Sequence, residues 1–238
     1  MKRWMSLLLL CIWLPACAGL AEPAYEKYRY YFFNTFDTVV TLTAYAKDQA
    51  EFDAYAALVE SEMTRYHRVF DLYHAYDGVY NLNYLNANAG KEPARAEPID
   101  LLQLIKAWRA EYGTALDPAM GGVLGLWHDA REDGTVLPDQ ILLEQAAQHM
   151  DYDQVIIDPN ALTVFYADPV ILLDLGAVAK GYAAQLVAQT LAEQGLDSFL
   201  LNAGGNVVCG APPKDGRDSW TIAIEDLDGV STREKIYV

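Results

Sequence analysis

Cysteine is scarce in this 238-residue chain: Cys11 and Cys17 stand near its start and Cys209 alone lies in the body. If Cys17 is consumed by the processing argued below, Cys209 is the one mature thiol, which excludes an internal disulfide and a cysteine-based metal site. Cations are scarce too, with 17 Lys and Arg against 33 Asp and Glu and a formal net charge of −16. Nonspecific nucleic-acid binding needs clustered Lys and Arg and is excluded by that balance. A phosphate-bearing ligand must therefore be held locally, while the acidity keeps the protein soluble. The four histidines, His67, His74, His128 and His149, show no H-E-x-x-H spacing, and G-x-S-x-G is missing. These absences argue against a zinc hydrolase and a serine nucleophile on a strand-to-helix elbow, and leave each histidine with a structural or exposed reading.

A long apolar span is also missing. The first residues, "MKRWMSLLLLCIWLPACAGLAEP", carry two cations, a short apolar run and then small residues. That order describes an export signal too short for an ordinary spanning helix. Within it "LPAC" resembles the lipobox of bacterial lipoproteins, which would leave a lipid-bearing Cys17 at the mature N-terminus, although Pro15 is unusual there. Plain secretion with cleavage after Ala21 is the alternative. Residues 1–21 are thus set apart from a single folded domain over 28–238.

Within that domain the hydrophobic period changes several times. "YYFFNTFDTVVTLTAYA" alternates near a period of two and predicts a strand or hairpin. From Glu51 to Tyr73, Phe52, Tyr55, Val59, Met63, Tyr66 and Phe70 recur at three- and four-residue steps, predicting a long amphipathic helix whose stripe is core. "HAYDGVYNLNYLNANAGKEPARAEP" reads as a long connection with one short helical turn. A second helix runs through Ile99, Leu102, Ile105, Trp108 and Tyr112 to Gly113, a short one follows "LDPAMGG", and another begins at the proline of "LPDQILLEQAAQHM". "QVIIDP", "LTVFY" and "VILLDLG" read as strands, Lys180 to Gly195 as a helix, and "SFLLNAGGNVVCGA" and "SWTIAIEDL" as strands. Helices grouped first and strands later around one more helix predict an α+β fold rather than a regular doubly wound sheet.

The stretch "LLDLGAVAKGYAAQ" concentrates the chemistry. It is neither a P-loop, because Lys180 precedes its glycine and Tyr182 stands where Ser or Thr should be, nor a G-x-G-x-x-G turn. It does place Asp174 at the end of an apolar run and Lys180 in the first turn of a helix. Free N–H groups cluster there, and a cation opposes the helix dipole unless an anion is bound. An anion site and a merely tight turn both fit these residues. "NAGGN", Asn202 to Asn206, reads as a hairpin turn and a candidate to face the same cleft.

"FDTVVTL", "FDLYHAYDGVYNLNYLN", "LDPAMGGVLGLW", "DLGAVAKGYAA" and "LLNAGGN" stand in an order and spacing that resembles the ApbE-type FAD:protein FMN transferases, over about residues 30 to 226. The resemblance implies an ApbE-like, T-fold-related mixed sheet with packed helices. It implies an exported enzyme, often a lipoprotein, that cleaves FAD at its pyrophosphate and passes FMN to a threonine hydroxyl of a target protein. AMP is released, and Mg²⁺ sits between protein and phosphates. Matched by residue, Asp174 and Lys180 resemble FAD-binding positions, and Ala177 resembles the residue whose carbonyl meets the metal. Ala115, Leu116 and Asp117 resemble a segment lining the flavin pocket. Phe36 and an aromatic from the Tyr73 to Tyr76 region resemble two further positions, with Tyr73 and Tyr76 both candidates. The family pattern continues through a "TSGDY"-like strand, an "HHIIDP"-like segment and an Asp-x-x-x-Thr-like metal motif that this sequence does not contain. The expectation is therefore a chain that matches the N-terminal two-thirds of the family, short of strands and metal ligands. An exported flavin-binding lipoprotein without transferase activity is the alternative function, and solute capture by an unrelated lipoprotein explains the leader but not the ordered motifs.

Overall fold

A computed structural model describes residues 24–132, 134, 137–227 and 232–238. The expected signal and the Cys17 lipidation site lie outside the described residues. Strands β1 (Glu26–Thr35) and β2 (Thr38–Ala46) form the expected hairpin. Its two-residue turn, Phe36 and Asp37, has φ of 54° and 49°, the left-handed geometry that lets a tight turn follow the strand twist. Asp tolerates this conformation, whereas for Phe it is uncommon.

Helix α1 (Gln49–Phe70) starts where the Asp48 carboxylate accepts the Glu51 N–H, a conventional N-cap. It ends three residues before the predicted boundary because Asp71 turns extended and receives the N–H groups of Tyr73 and His74 on its side chain. Helix α2 (Leu82–Asn88) and the short strand β3 (Ala94–Arg95) interrupt the predicted long connection. Helix α3 (Ile99–Tyr112) matches its predicted span, with Gly113 at φ 93° closing it. A 3₁₀ turn (Pro118–Met120) leads into α4 (Gly121–Glu132), and α5 (Gln140–Ala147) is capped by Asp139 rather than begun by Pro138.

Strands β4 (Val155–Asp158) and β5 (Thr163–Tyr166) pair antiparallel, as the turn at Pro159-Asn160 implies, and β5 also takes β3. "VILLDLG" is not a strand. Residues 171–175 run without a ladder. Leu173 is held instead by the Asn86 side chain, whose Nδ2 donates to Leu173 O and whose Oδ1 accepts Leu173 N–H, both at 2.9 Å, while Leu172 O accepts Gly121 N–H and Asp174 N–H donates to Pro118 O. Helix α6 (Ala179–Glu193), β6 (Phe199–Ala203), β7 (Asn206–Cys209) and the hairpin β8 (Thr221–Glu225) and β9 (Thr232–Tyr237) complete the order.

The main sheet runs β1-β2-β6-β7, and every described strand pair is antiparallel. Val40 faces Ala203, Leu42 faces Leu201 and Ala44 faces Phe199 across β2 and β6. All six are buried, because the period of two sends them to one face. Phe52, Val59 and Met63 of α1 and Ala183, Val187 and Leu191 of α6 are buried in the same core cluster. Small residues on α6 bring that helix close to the sheet, which fixes its N-terminus beside the β1–β2 turn.

Candidate functional site

Four of the anticipated residues meet in one pocket of about 150 Å³: Phe36, Tyr73, Asp174 and Lys180. Each comes from a different element. Phe36 is carried by the β1–β2 turn, and its N–H donates to His67 Nδ1 at 3.3 Å while its ring meets the imidazole edge-on at 5.5 Å. Tyr73 follows α1. Asp174 lies near the end of the 171–175 segment, where its Oδ1 accepts Gly176 N–H at 2.7 Å and its own N–H donates to Pro118 O at 2.8 Å. Lys180 lies in the first turn of α6.

Asp37, Asp71 and Asp174 line this pocket, and its corner at the start of α6 is the part that suits an anion. No side chain caps α6, although Ser, Thr, Asn or Asp is the usual solution at that position. Among the described residues Lys180 forms no ion pair, so an unpaired cation sits at the positive end of a helix dipole. Partial burial and the Asp174 carboxylate together push the Tyr73 phenol above its ordinary value, which keeps its proton on through neutral pH.

Among the other residues that line the pocket, Asp71 and His67 went unrecognised in the sequence. Asp71, 7 % exposed, is the hub of the loop after α1. It accepts the Tyr76 hydroxyl at 2.7 Å and the Tyr73 N–H at 2.7 Å, with His74 Nδ1 at 2.9 Å. His67 places Nε2 at 3.9 Å from Asp71 Oδ2. Because Nδ1 accepts the Phe36 amide, the proton of a neutral ring lies on Nε2, and His67 holds Phe36 rather than offering a lone pair for base chemistry. A helix stripe of period near 3.6 gave no sign that its one histidine and the aspartate just past its end turn into a pocket.

The other anticipated residues separate. Tyr76 spends its hydroxyl on Asp71 and does not line the pocket, whereas Tyr73 does. Ala115 is exposed and Leu116 and Asp117 half-buried, outside the same cavity. The buried Arg109 pins them by donating to Leu116 O at 2.6 Å and to Asp117 Oδ2 at 3.2 Å, while Asp117 Oδ1 caps Ala119. Their link to the pocket is the Asp174 to Pro118 bond. Of "NAGGN", Asn206 approaches the start of α6, where a Cβ on Gly181 would stand 3.1 Å from its Oδ1. Asn202, Gly204 and Gly205 instead line a separate groove of about 850 Å³ with Lys27, Arg29 and Arg217. The turn faces away because Gly204 N–H is tied to Val39 O at 3.1 Å. That groove is larger, but apart from this turn it contains none of Phe36, Tyr73, Tyr76, Ala115, Leu116, Asp117, Asp174, Ala177 and Lys180.

Ala177 is exposed in the turn before α6, and Asp174 supplies the adjacent carboxylate. Mg²⁺ takes an octahedron of oxygens, commonly with one or two carboxylates besides water and phosphate. Among the described residues no group of three His, Cys, Asp or Glu converges as a metal site. One carbonyl and one carboxylate already engaged by Gly176 do not by themselves complete a protein-held Mg²⁺ site.

The ApbE family model matches residues 36–237. A Treponema pallidum FAD:protein FMN transferase is 31% identical over 168 residues, covering 65% of this chain and 46% of that protein. A Klebsiella pneumoniae protein of the same name is 32% identical over 149 residues, covering 59% and 47%. This chain thus spans about half the length of these curated relatives. Among solved structures, the ApbE protein of Thermotoga maritima superposes with a TM-score of 0.77 at 23% identity, over 90% of this chain and 68% of that one. The Vibrio cholerae flavin transferase ApbE, as a point mutant, gives 0.74 at 21%, over 89% and 70%. The structural likenesses establish the α+β fold, and the match over residues 36–237 establishes the lineage: the chain belongs to the ApbE family.

Proposed function

We propose that this protein is an FAD:protein FMN transferase, and that the pocket of Phe36, Tyr73, Asp174 and Lys180 takes the pyrophosphate end of FAD. The observation that carries the reading is the uncapped N-terminus of α6 with the unpaired Lys180 in its first turn. Lys180 and the α6 amides would hold the bridging phosphates and offset charge that builds on the transferring phosphoryl group. Phe36 and Tyr73 would wall the ligand, with His67 and Asp71 fixing their backbone.

In the transfer, the threonine oxygen of a target protein bonds to the phosphorus of the FMN half as the bridging P–O bond breaks, and AMP leaves. The threonine proton passes to a carboxylate of the site or to water, since the acceptor nitrogen of a neutral His67 is occupied by the Phe36 N–H. Catalysis of this kind is mainly positioning and electrostatics. The second reading is flavin binding without transfer.

Replacing Lys180 by Ala is expected to weaken FAD binding roughly ten- to a hundredfold, the worth of a charge-assisted phosphate contact, with little change in melting temperature. Unchanged FAD affinity overturns the flavin site. Incubation with FAD, Mg²⁺ and a threonine-bearing target, followed by a denaturing gel, separates the two readings, because only transfer leaves fluorescence on the target band. For location we propose an exported protein, lipid-anchored at the extracytoplasmic membrane face through Cys17. Cys17→Ala is expected to move it from the membrane to the soluble exported fraction; a wild type already soluble and beginning at Glu22 overturns the anchor.

A further inference from the structure

The pocket is too small for the ligand it is proposed to hold. Cavities that bury drug-sized ligands run from roughly 300 to 1,000 Å³, and a dinucleotide exceeds most drugs, so about 150 Å³ takes only part of FAD. The remainder must lie against neighbouring surface. On the Tyr73 side that surface is α4, where the His128 ring lies over the Tyr73 ring at 4.9 Å with 31° between planes. Arg131 Nη2 is 2.9 Å from His128 Nδ1, and the Tyr73 hydroxyl is 3.4 Å from the same atom. Arg131 always donates, so Nδ1 is the acceptor and the ring face stays in one orientation. Arg131 is exposed and forms no ion pair with a carboxylate among the described residues.

This arrangement is held in register with the pocket. Gly121 N–H, at the start of α4, donates to Leu172 O at 2.9 Å, two residues before Asp174. A Cβ on Gly121 would stand 2.5 Å from that oxygen, so glycine permits the approach. The Tyr73 phenol feels both Asp174 and Arg131, which places it between the pocket and the α4 cation.

We propose that Tyr73, His128 and Arg131 form a second subsite, a stacking shelf with a cation at its edge, that takes a planar heterocycle and its attached phosphate outside the Lys180 pocket. The proposal rests on the flavin reading and adds residues to it. Base stacking on an aromatic side chain is worth roughly five- to a hundredfold in affinity, and Arg131 adds a phosphate contact. Two halves of FAD share this chemistry, the AMP half and the FMN half.

The test measures binding of FAD, AMP, FMN, adenosine and riboflavin to the full chain carrying His128→Ala, His128→Phe, Arg131→Ala or Lys180→Ala, with a thermal melt of each. His128→Ala is expected to weaken FAD about tenfold and His128→Phe to restore it, since Phe keeps the ring face. Arg131→Ala is expected to weaken whichever monophosphate occupies the shelf, AMP or FMN, and to spare its phosphate-free nucleoside. That contrast identifies the half. Unchanged FAD affinity in His128→Ala and Arg131→Ala, while Lys180→Ala loses it, overturns the shelf and leaves the flavin site standing. Loss in His128→Ala that Phe does not restore also overturns stacking. A wild type that binds no FAD overturns both.

Discussion

At the scale of single residues, Asp71 carries more of the site than its place in the sequence suggested. Burial alone would push its carboxyl up; the bonds from Tyr76, Tyr73 and His74 outweigh burial and hold it below its ordinary 3.8. The same contact, after burial, pushes the Tyr76 phenol up to about 12. A carboxyl more acidic in the folded chain than in the unfolded one adds stability at every pH above its unfolded value. That stability is lost as pH falls through the unfolded value toward the lower folded one. Asp71→Asn is therefore expected to cost roughly 1–3 kcal/mol at neutral pH and much less below about pH 3, read as urea midpoints across a pH series. A penalty that does not shrink in acid would mean that charge is not what these donors recognise. The same residues explain why the sequence left Tyr73 and Tyr76 as equal candidates. Both are aromatic and three apart, and only the carboxylate that claims the Tyr76 hydroxyl tells them apart.

At the scale of elements, periodic segments were legible and the unpaired one was not. Helix α3 and the two hairpins of the main sheet follow from spacing and turn chemistry, because each satisfies its backbone from neighbours in sequence. Residues 171–175 have the apolar composition of a strand, yet a side chain 87 residues away from Leu173 closes the backbone bonds of that central residue. Asn86 presents one donor and one acceptor to Leu173 and so stands in for a neighbouring strand. It also accepts the Tyr166 hydroxyl at 3.2 Å. Asn86→Leu would leave the N–H and C=O of the fully buried Leu173 without partners. The expected cost is about 2–4 kcal/mol, measured by denaturant unfolding, together with weaker FAD binding, because Asp174 follows Leu173 directly. A variant that keeps full stability would show that water or a shifted strand replaces the amide. The pocket's assembly was hidden for the same reason: Lys180 and Asp174 could be matched by motif, but their nearness to Phe36 and Tyr73 is a property of how α6 and this segment are tied down.

For the molecule as a whole, cohesion is uneven. The core lies between the main sheet and helices α1 and α6, and it contains the elements that build the pocket. The β8–β9 hairpin stands apart in its own two-stranded sheet, and every residue of β9 is exposed. Its anchor is Trp220, 3 % exposed, which donates from Nε1 to Ala211 O at 2.9 Å and packs against Tyr45 with ring centroids 5.9 Å apart. Trp220 also exchanges backbone bonds with Val238. A two-stranded hairpin without a covered face is marginal in water, so one buried indole has to hold it against the body. Hydrogen exchange on this chain is expected to show β8 and β9 opening at free energies well below those of β2 and β6, with amide protection lower by roughly a hundredfold or more. FAD at saturating concentration should raise protection around α6 and the β1–β2 turn and leave the hairpin unchanged, because none of the pocket residues lies on it. Equal protection across all four strands would mean that Trp220 makes hairpin and core one cooperative unit, and protection of the hairpin by FAD would place the ligand in the larger groove that β8 lines.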